Sequence, residues 1–246
     1  MIPQQFVKGA GERVFFGQFE YVSGADLIYD FGNPTCTSAF NSSRIVYNVG
    51  SANVTGSLIP YNNPNPFYPT LTTDAGGVMI TRAFAFGSNY MEFNYSSSIN
   101  QTSITIFAMN GNQLNPWSSY IPSAATTGGS SIQFNVYGTT VNTGSATLDA
   151  SYVTTTPTLN VDVSNSRNGY NLIAETTNNT TGQILYVNTT SIVDTNLETR
   201  NNEQSNGVKL GLTSNMRIMA FLQYPFILTP KQIRQTYKVF SQRFFT

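Results

Sequence analysis

Few side chains in this sequence are equipped for acid, base or nucleophilic chemistry. There is no histidine and a single cysteine, Cys36, so zinc sites built on those ligands and His-dependent triads are excluded. Neither a Gly-x-x-x-x-Gly-Lys-Ser/Thr phosphate loop nor a Gly-x-Gly-x-x-Gly fingerprint occurs. Glycosidases need two carboxyl groups held across the scissile bond. Glu198 and Glu203 lie close in sequence, but in a polar Asn-rich stretch that reads as a solvated loop. Glu92 stands between apolar neighbours, where a polar strand face or a buried pair accounts for it without catalysis. The expectation is a chain with no catalytic residues, and not an enzyme.

Binding chemistry is better represented. Sugars are held by an aromatic platform beside polar side chains, and Tyr61, Phe67, Tyr68, Trp117 and Tyr120 fall in loop-like sequence of that kind. The competing reading of each is a small loop core. Polarity over the whole chain comes from 27 Asn, 31 Thr and 24 Ser, while charged residues make up only 10%. A surface hydrated by neutral groups suits close-packed assemblies and glycan contacts, because few long charged side chains repel a neighbour.

The formal charge of +0 is unevenly spread. Residues 1–203 carry six basic and twelve acidic groups, 6 − 12 = −6, and residues 204–246 carry six basic groups and no acid. That basic end could meet an acidic partner or the acidic remainder of its own chain. Without a clustered Arg and aromatic patch, no nucleic-acid partner is expected. Cys36 alone excludes an internal disulfide framework, and a small buried thiol is its default reading.

Residues 1–8 lack the charged start and apolar run of a signal peptide, and no stretch approaches a membrane-spanning length. The expectation is a soluble chain with no membrane insertion, reaching any exterior location by assembly or another export route. Seven Asn-x-Ser/Thr sequons are present, about the number this composition produces by chance, so they carry no argument for glycosylation.

The elements that must position these residues read mainly as strands. Apolar or alternating runs at 13–22, 25–31, 44–49, 54–59, 77–86, 90–95 and 103–109 are separated by Gly, Pro and Asn. In the run at 90–95, Tyr90, Glu92 and Asn94 share one face and Met91, Phe93 and Tyr95 the other. Residues 60–69 hold four prolines and read as an ordered surface loop, and 110–131 read as a long connection around Trp117 and Tyr120. Further strands are expected at 131–137, 146–153, 158–163, 170–175, 182–187, 191–193, 208–212 and 216–221. So many strands with almost no helix predict two packed antiparallel sheets.

One helix is signalled, over about 230–241. Thr229 can cap it, Pro230 suits its first position, and Gln232 sits where a capping box needs it. Ile233, Tyr237, Phe240 and Phe244 form one apolar stripe, with Lys231, Arg234 and Lys238 mostly away from it. The helix is expected to close one end or edge of the sandwich. In the competing reading it docks a partner through those three basic residues.

Several segments, taken in order, resemble the concanavalin A-like lectin/glucanase superfamily in its laminin G-like (LamG) branch, as found in viral structural and cell-surface proteins. Ile28-Tyr29-Asp30-Phe31-Gly32-Asn33-Pro34 matches the opening strand and its Asp-x-Gly-Asn-Pro segment. Asn48-Val49-Gly50-Ser51-Ala52-Asn53-Val54-Thr55-Gly56-Ser57-Leu58 resembles a worn Asp-Leu-Ser-Gly-Asn-Gly motif before Gly-x-Leu. Gly182-Gln183-Ile184-Leu185-Tyr186-Val187-Asn188 and Val208-Lys209-Leu210-Gly211 echo later strands, and the run from Met216 to Ile233 looks like the closing strand, turn and short helix. The resemblance implies an all-β, antiparallel two-sheet jelly-roll sandwich with a short C-terminal helix. Residues 1–24 would be an extension or first strand and 25–246 one domain.

The glucanase members carry a Glu-x-Asp-x-x-Glu strand motif that this chain lacks. LamG-like domains often bind calcium, for which Asp26, Asp30 and Asp74 are the candidate ligands; their competing reading is turn capping. No other cofactor is implied. The leading expectation is a non-enzymatic virion structural or capsid decoration protein on the capsid exterior or an appendage. Its partners would be copies of itself and other virion proteins, with loops exposed to host glycans. The alternatives are a carbohydrate-binding module of a surface or fibre protein and a divergent glycan hydrolase.

Overall fold

The computed structural model describes residues 22–63, 65–71, 78–80, 82–83, 87–95, 100–109, 117–122, 130–136, 143–150, 158–162, 170–178, 182–187, 190–194, 208–210 and 216–244. The strand expected at 13–22 lies almost wholly outside them. The first described elements are β1 (Leu27–Asp30), two one-turn helices α1 (Pro34–Thr37) and α2 (Phe40–Ser43), then β2 (Ile45–Tyr47) and β3 (Thr55–Ile59). Short strands follow: β4 (Tyr61–Asn63), β5 (Asn65–Phe67), β6 (Thr70–Leu71), β7 (Val78–Ile80), β8 (Arg82–Ala83) and β9 (Gly87–Ser88). Next come β10 (Tyr90–Phe93), β11 (Gln101–Met109), β12 (Trp117–Pro122), β13 (Ser130–Val136), β14 (Thr143–Ala150) and β15 (Thr158–Asp162). The chain closes with β16 (Tyr170–Asn178), β17 (Gly182–Val187), β18 (Thr190–Asp194), β19 (Val208–Leu210), β20 (Met216–Tyr224) and α3 (Pro230–Phe244).

These strands build one eight-stranded sheet, β18-β17-β16-β11-β20-β7-β6 with β1 also on β20, and a four-stranded sheet, β19-β10-β3-β2. A second four-stranded sheet, β12-β13-β14-β15, and the ribbons β4-β5 and β8-β9 complete the set, and every pairing is antiparallel. Most expected strands therefore form, within a few residues of the expected ends. Three readings change. Within 60–69, residues 61–63 and 65–67 pair as β4 and β5, with Pro66 opposite Asn62 in a two-stranded ribbon, where a missing N–H costs no central ladder bond. Trp117 and Tyr120 belong to β12, paired with β13, and not to a long connection. Two one-turn helices follow β1, the first capped by the Asn33 side chain accepting from Thr35 N at 2.9 Å; they bury Cys36 and Phe40.

Along β11 and β20 the large sheet is buried on both faces. Alternation along β10 turns Met91 and Phe93 inward, and Phe93 meets Tyr29 of β1 and Phe221 of β20 with ring centroids 5.0 and 5.5 Å away. Tilted contacts of this kind add about 0.5–1.5 kcal/mol beyond burial. Gly56 lets Met91 in, since a Cβ there would stand 3.0 Å from the Met91 sulfur and methyl. On the same face of the large sheet as Phe221, a buried polar chain is fully paired. Ser103 Oγ donates to Gln223 Oε1 at 2.6 Å, and Gln223 Nε2 donates to Gln101 Oε1 at 3.0 Å.

The opposite face carries Ile104, Ile106, Leu172, Ala174, Tyr186, Leu222 and Tyr224, covered by Ile233 and Phe240 of α3. A bulge makes the two faces compatible. Ile106 pairs with Ala220 but Phe107 pairs with Ile218, leaving Met219 as the extra residue. Met219 and Ala220 then both join the helix-side cluster.

The α3 cap is the expected one: Thr229 N donates to Gln232 Oε1 at 2.8 Å, and Gln232 N to Thr229 Oγ1 at 3.3 Å. Thr102 Oγ1 fixes the approach to the helix, donating to Phe226 O at 3.0 Å and accepting from Leu228 N at 2.9 Å. No helix among the described residues is long and apolar enough to cross a membrane.

Under α3, the Tyr224 hydroxyl is buried with no hydrogen-bond partner among the described residues. A buried unsatisfied hydroxyl costs about 1–3 kcal/mol. Tyr224→Phe should therefore raise stability by about 1 kcal/mol, a Tm gain of about 2–4 °C by calorimetry; an unchanged or lower Tm contradicts this reading.

Candidate functional site

β1 and β3 span about 13 and about 17 Å at strand rise, and different clusters occupy their two ends. At the first end, the loop between β2 and β3 folds back on the start of β1. Asn48 uses all of its hydrogen-bonding capacity there: Oδ1 accepts from Ile28 N (2.7 Å) and Gly50 N (2.8 Å), and Nδ2 donates to Asp26 O (2.8 Å) and Ala52 O (2.6 Å). Gly50 lies so close that a Cβ would sit 2.4 Å from Asp26 O. The Asp26 carboxylate accepts from Ser51 Oγ at 2.7 Å and from the Tyr95 hydroxyl at 2.5 Å.

Of the three candidate calcium ligands, the structure does not bring Asp26 and Asp30 together. They stand at opposite ends of β1, and Asp74 lies outside the described residues. Asp30 is buried, and its Oδ1 accepts from Gly32 N at 3.0 Å in the turn that leads to α1. Among the described residues no three His, Cys, Asp or Glu side chains gather as a metal-holding group.

At the other end, β3 leads into the β4-β5 hairpin. Tyr61 stands opposite Phe67 in register, and Tyr68 follows directly. Phe67 is 43% exposed. Its carbonyl accepts from the buried Asn89 Nδ2 at 3.4 Å, which ties the hairpin to the approach to β10. The Arg44 guanidinium lies over the Tyr68 ring, 4.7 Å from its centroid. Arg44 ends α2 in a left-handed conformation, φ 58°, and its carbonyl accepts from Leu58 N at 2.9 Å.

Tyr61, Phe67 and Tyr68 therefore share one hairpin, whereas Trp117 and Tyr120 lie on a separate sheet. Lys231, Arg234 and Lys238 are exposed on α3. Glu92 is half-buried on the outer face of β10, opposite Ser57 and Lys209 in register. Glu198 and Glu203 lie outside the described residues. Sequence reasoning missed Arg44, because neither its left-handed backbone nor a ring contact 24 residues away leaves a local signal. It also missed Tyr95 as the partner of Asp26.

No family model matches the chain, and no curated protein matches it. Solved structures do. A structure of botulinum neurotoxin type C, described in terms of cell entry through two ganglioside molecules, superposes with a TM-score of 0.60 at 14% identity, covering 88% of this chain and 51% of that one. The binding domain of botulinum neurotoxin DC is similar in its complex with rat synaptotagmin II (TM-score 0.60, 14% identity, 88% and 52% covered). So is the same domain in complex with SialylT (TM-score 0.61, 13% identity, 88% and 52% covered). At such identity the likeness is one of fold: this is an all-β sandwich of the kind those receptor-binding domains contain. The chain spans about half the length of these structures, and the ligands named belong to them.

Burial raises the Tyr29, Tyr95 and Tyr224 phenols above their usual range, and for Tyr95 the bond to Asp26 and its charge add to the effect. A phenol pKa raised by folding gives stability that is present below about pH 10 and lost as pH rises beyond it. Alkaline titration should show exposed tyrosines ionising first and these three only with unfolding; a single smooth phenolate curve in the folded state would contradict this. Asn48→Ala, which strips four bonds from the loop, should cost about 2–3 kcal/mol in denaturant unfolding.

Proposed function

We propose that this chain is a non-enzymatic, lectin-like binding module whose glycan contact is the β4-β5 hairpin. The observation that carries this reading is Phe67, exposed at the hairpin edge beside Tyr68, whose ring is braced by Arg44 and whose backbone neighbourhood is anchored by Asn89. A sugar ring stacks on such a surface by its C–H face, and the Asn-rich hairpin offers donors and acceptors for its hydroxyls. The fold likeness supports the same class, since the proteins it resembles are receptor-binding domains. With this reading go a jelly-roll winding of the concanavalin A-like, laminin G-like kind and one domain over residues 25–246.

A second reading is a virion structural or decoration subunit on the capsid exterior, supported by the low-charge, Asn/Thr/Ser-rich composition that suits packing between copies. The two differ in solution. The binding module runs as a monomer on size exclusion with light scattering and is retained on a glycan column. The structural subunit forms defined multimers and copurifies with particles. Phe67→Ala and Tyr68→Ala should each weaken glycan binding about tenfold without lowering Tm. Binding unaffected by both removes the hairpin from the site, and a glycan-turnover screen that finds cleavage removes the non-enzymatic reading.

A further inference from the structure

We propose that the hairpin site prefers anionic sugars, with the Arg44 guanidinium as the group that holds the carboxylate or sulfate. This inference rests on the glycan-binding reading and specifies its ligand class. The starting point is a backbone position ill-suited to its residue. Arg44 follows α2 in the left-handed region, where glycine or asparagine ordinarily sits, and it is the one non-glycine residue with positive φ among the described residues. An L-residue with a Cβ is disfavoured there, because the Cβ crowds the following carbonyl oxygen. No described acidic side chain pairs with Arg44, and its one described side-chain contact is the face of Tyr68.

With its Cζ 4.7 Å from the Tyr68 centroid, the guanidinium keeps an edge of N–H donors that the ring does not satisfy, and such an edge can hold a carboxylate or sulfate by two parallel bonds. Arg44 is half-exposed, so that edge is within reach of a ligand. Phe67, next to Tyr68 in the chain, offers the adjoining apolar surface for the sugar ring.

The test is an array presenting matched neutral, sialylated, uronate-bearing and sulfated glycans, probed with the wild-type chain, Arg44→Asn and Arg44→Lys. Asparagine tolerates the left-handed backbone, so Arg44→Asn removes the charge without adding strain, and an unchanged Tm certifies its fold. The wild type should bind acidic glycans about tenfold more strongly than their neutral counterparts, and added salt should narrow the gap. Arg44→Asn should erase the preference, so that acidic and neutral glycans bind alike, while Arg44→Lys keeps part of it. Whichever acidic set leads identifies carboxylate or sulfate as the partner. Neutral and acidic glycans binding alike, or a preference that survives in Arg44→Asn, overturns the inference and leaves the glycan reading standing. An array with no signal at all overturns both.

Discussion

Everything in this fold depends on β20 having two apolar faces. Phe221 packs with Phe93 and Tyr29 between the sheets, while Leu222 and Tyr224 pack under α3. A regular strand gives each face every second residue, and the bulge at Met219 resets that alternation once. The strand is thereby fixed in register against β11 along most of its length, with β1 and β7 sharing its other edge. The helix, the four-stranded sheet and the chain's opening strand all take their places from this one element.

Much of the arrangement was legible in the residues. Alternation in Tyr90–Phe93 foretold which side chains turn inward, and Thr229, Pro230 and Gln232 foretold the start of α3, because capping and alternation are local effects. Buried Cys36 was foretold by its type. The β4-β5 hairpin was hidden because four prolines argue against a central strand, and an isolated ribbon is exempt from that argument. β12 was hidden by Asn, Ser and Pro that look like turn formers until paired with β13.

The candidate site was less legible than the fold for the same physical reason. Aromatic residues in loop-like sequence pointed to residues 61–68, where the register sets Tyr61 opposite Phe67. Arg44 could not be foreseen, since it meets Tyr68 through tertiary packing alone. Asp26 and Asp30 looked alike in sequence, yet one is held by Ser51 and Tyr95 at one end of β1 and the other caps a turn at the far end. Separation along a strand converts two similar carboxylates into two unrelated ones.

The Asn48 clamp also has a meaning for how such a chain can change. One amide side chain there ties the start of β1 to both sides of a loop, and all four of its partners are backbone groups. Asn48 and the closely packed Gly50 are therefore held to type, while exchange of the neighbouring side chains leaves those bonds in place. The loop can change its surface without changing its path.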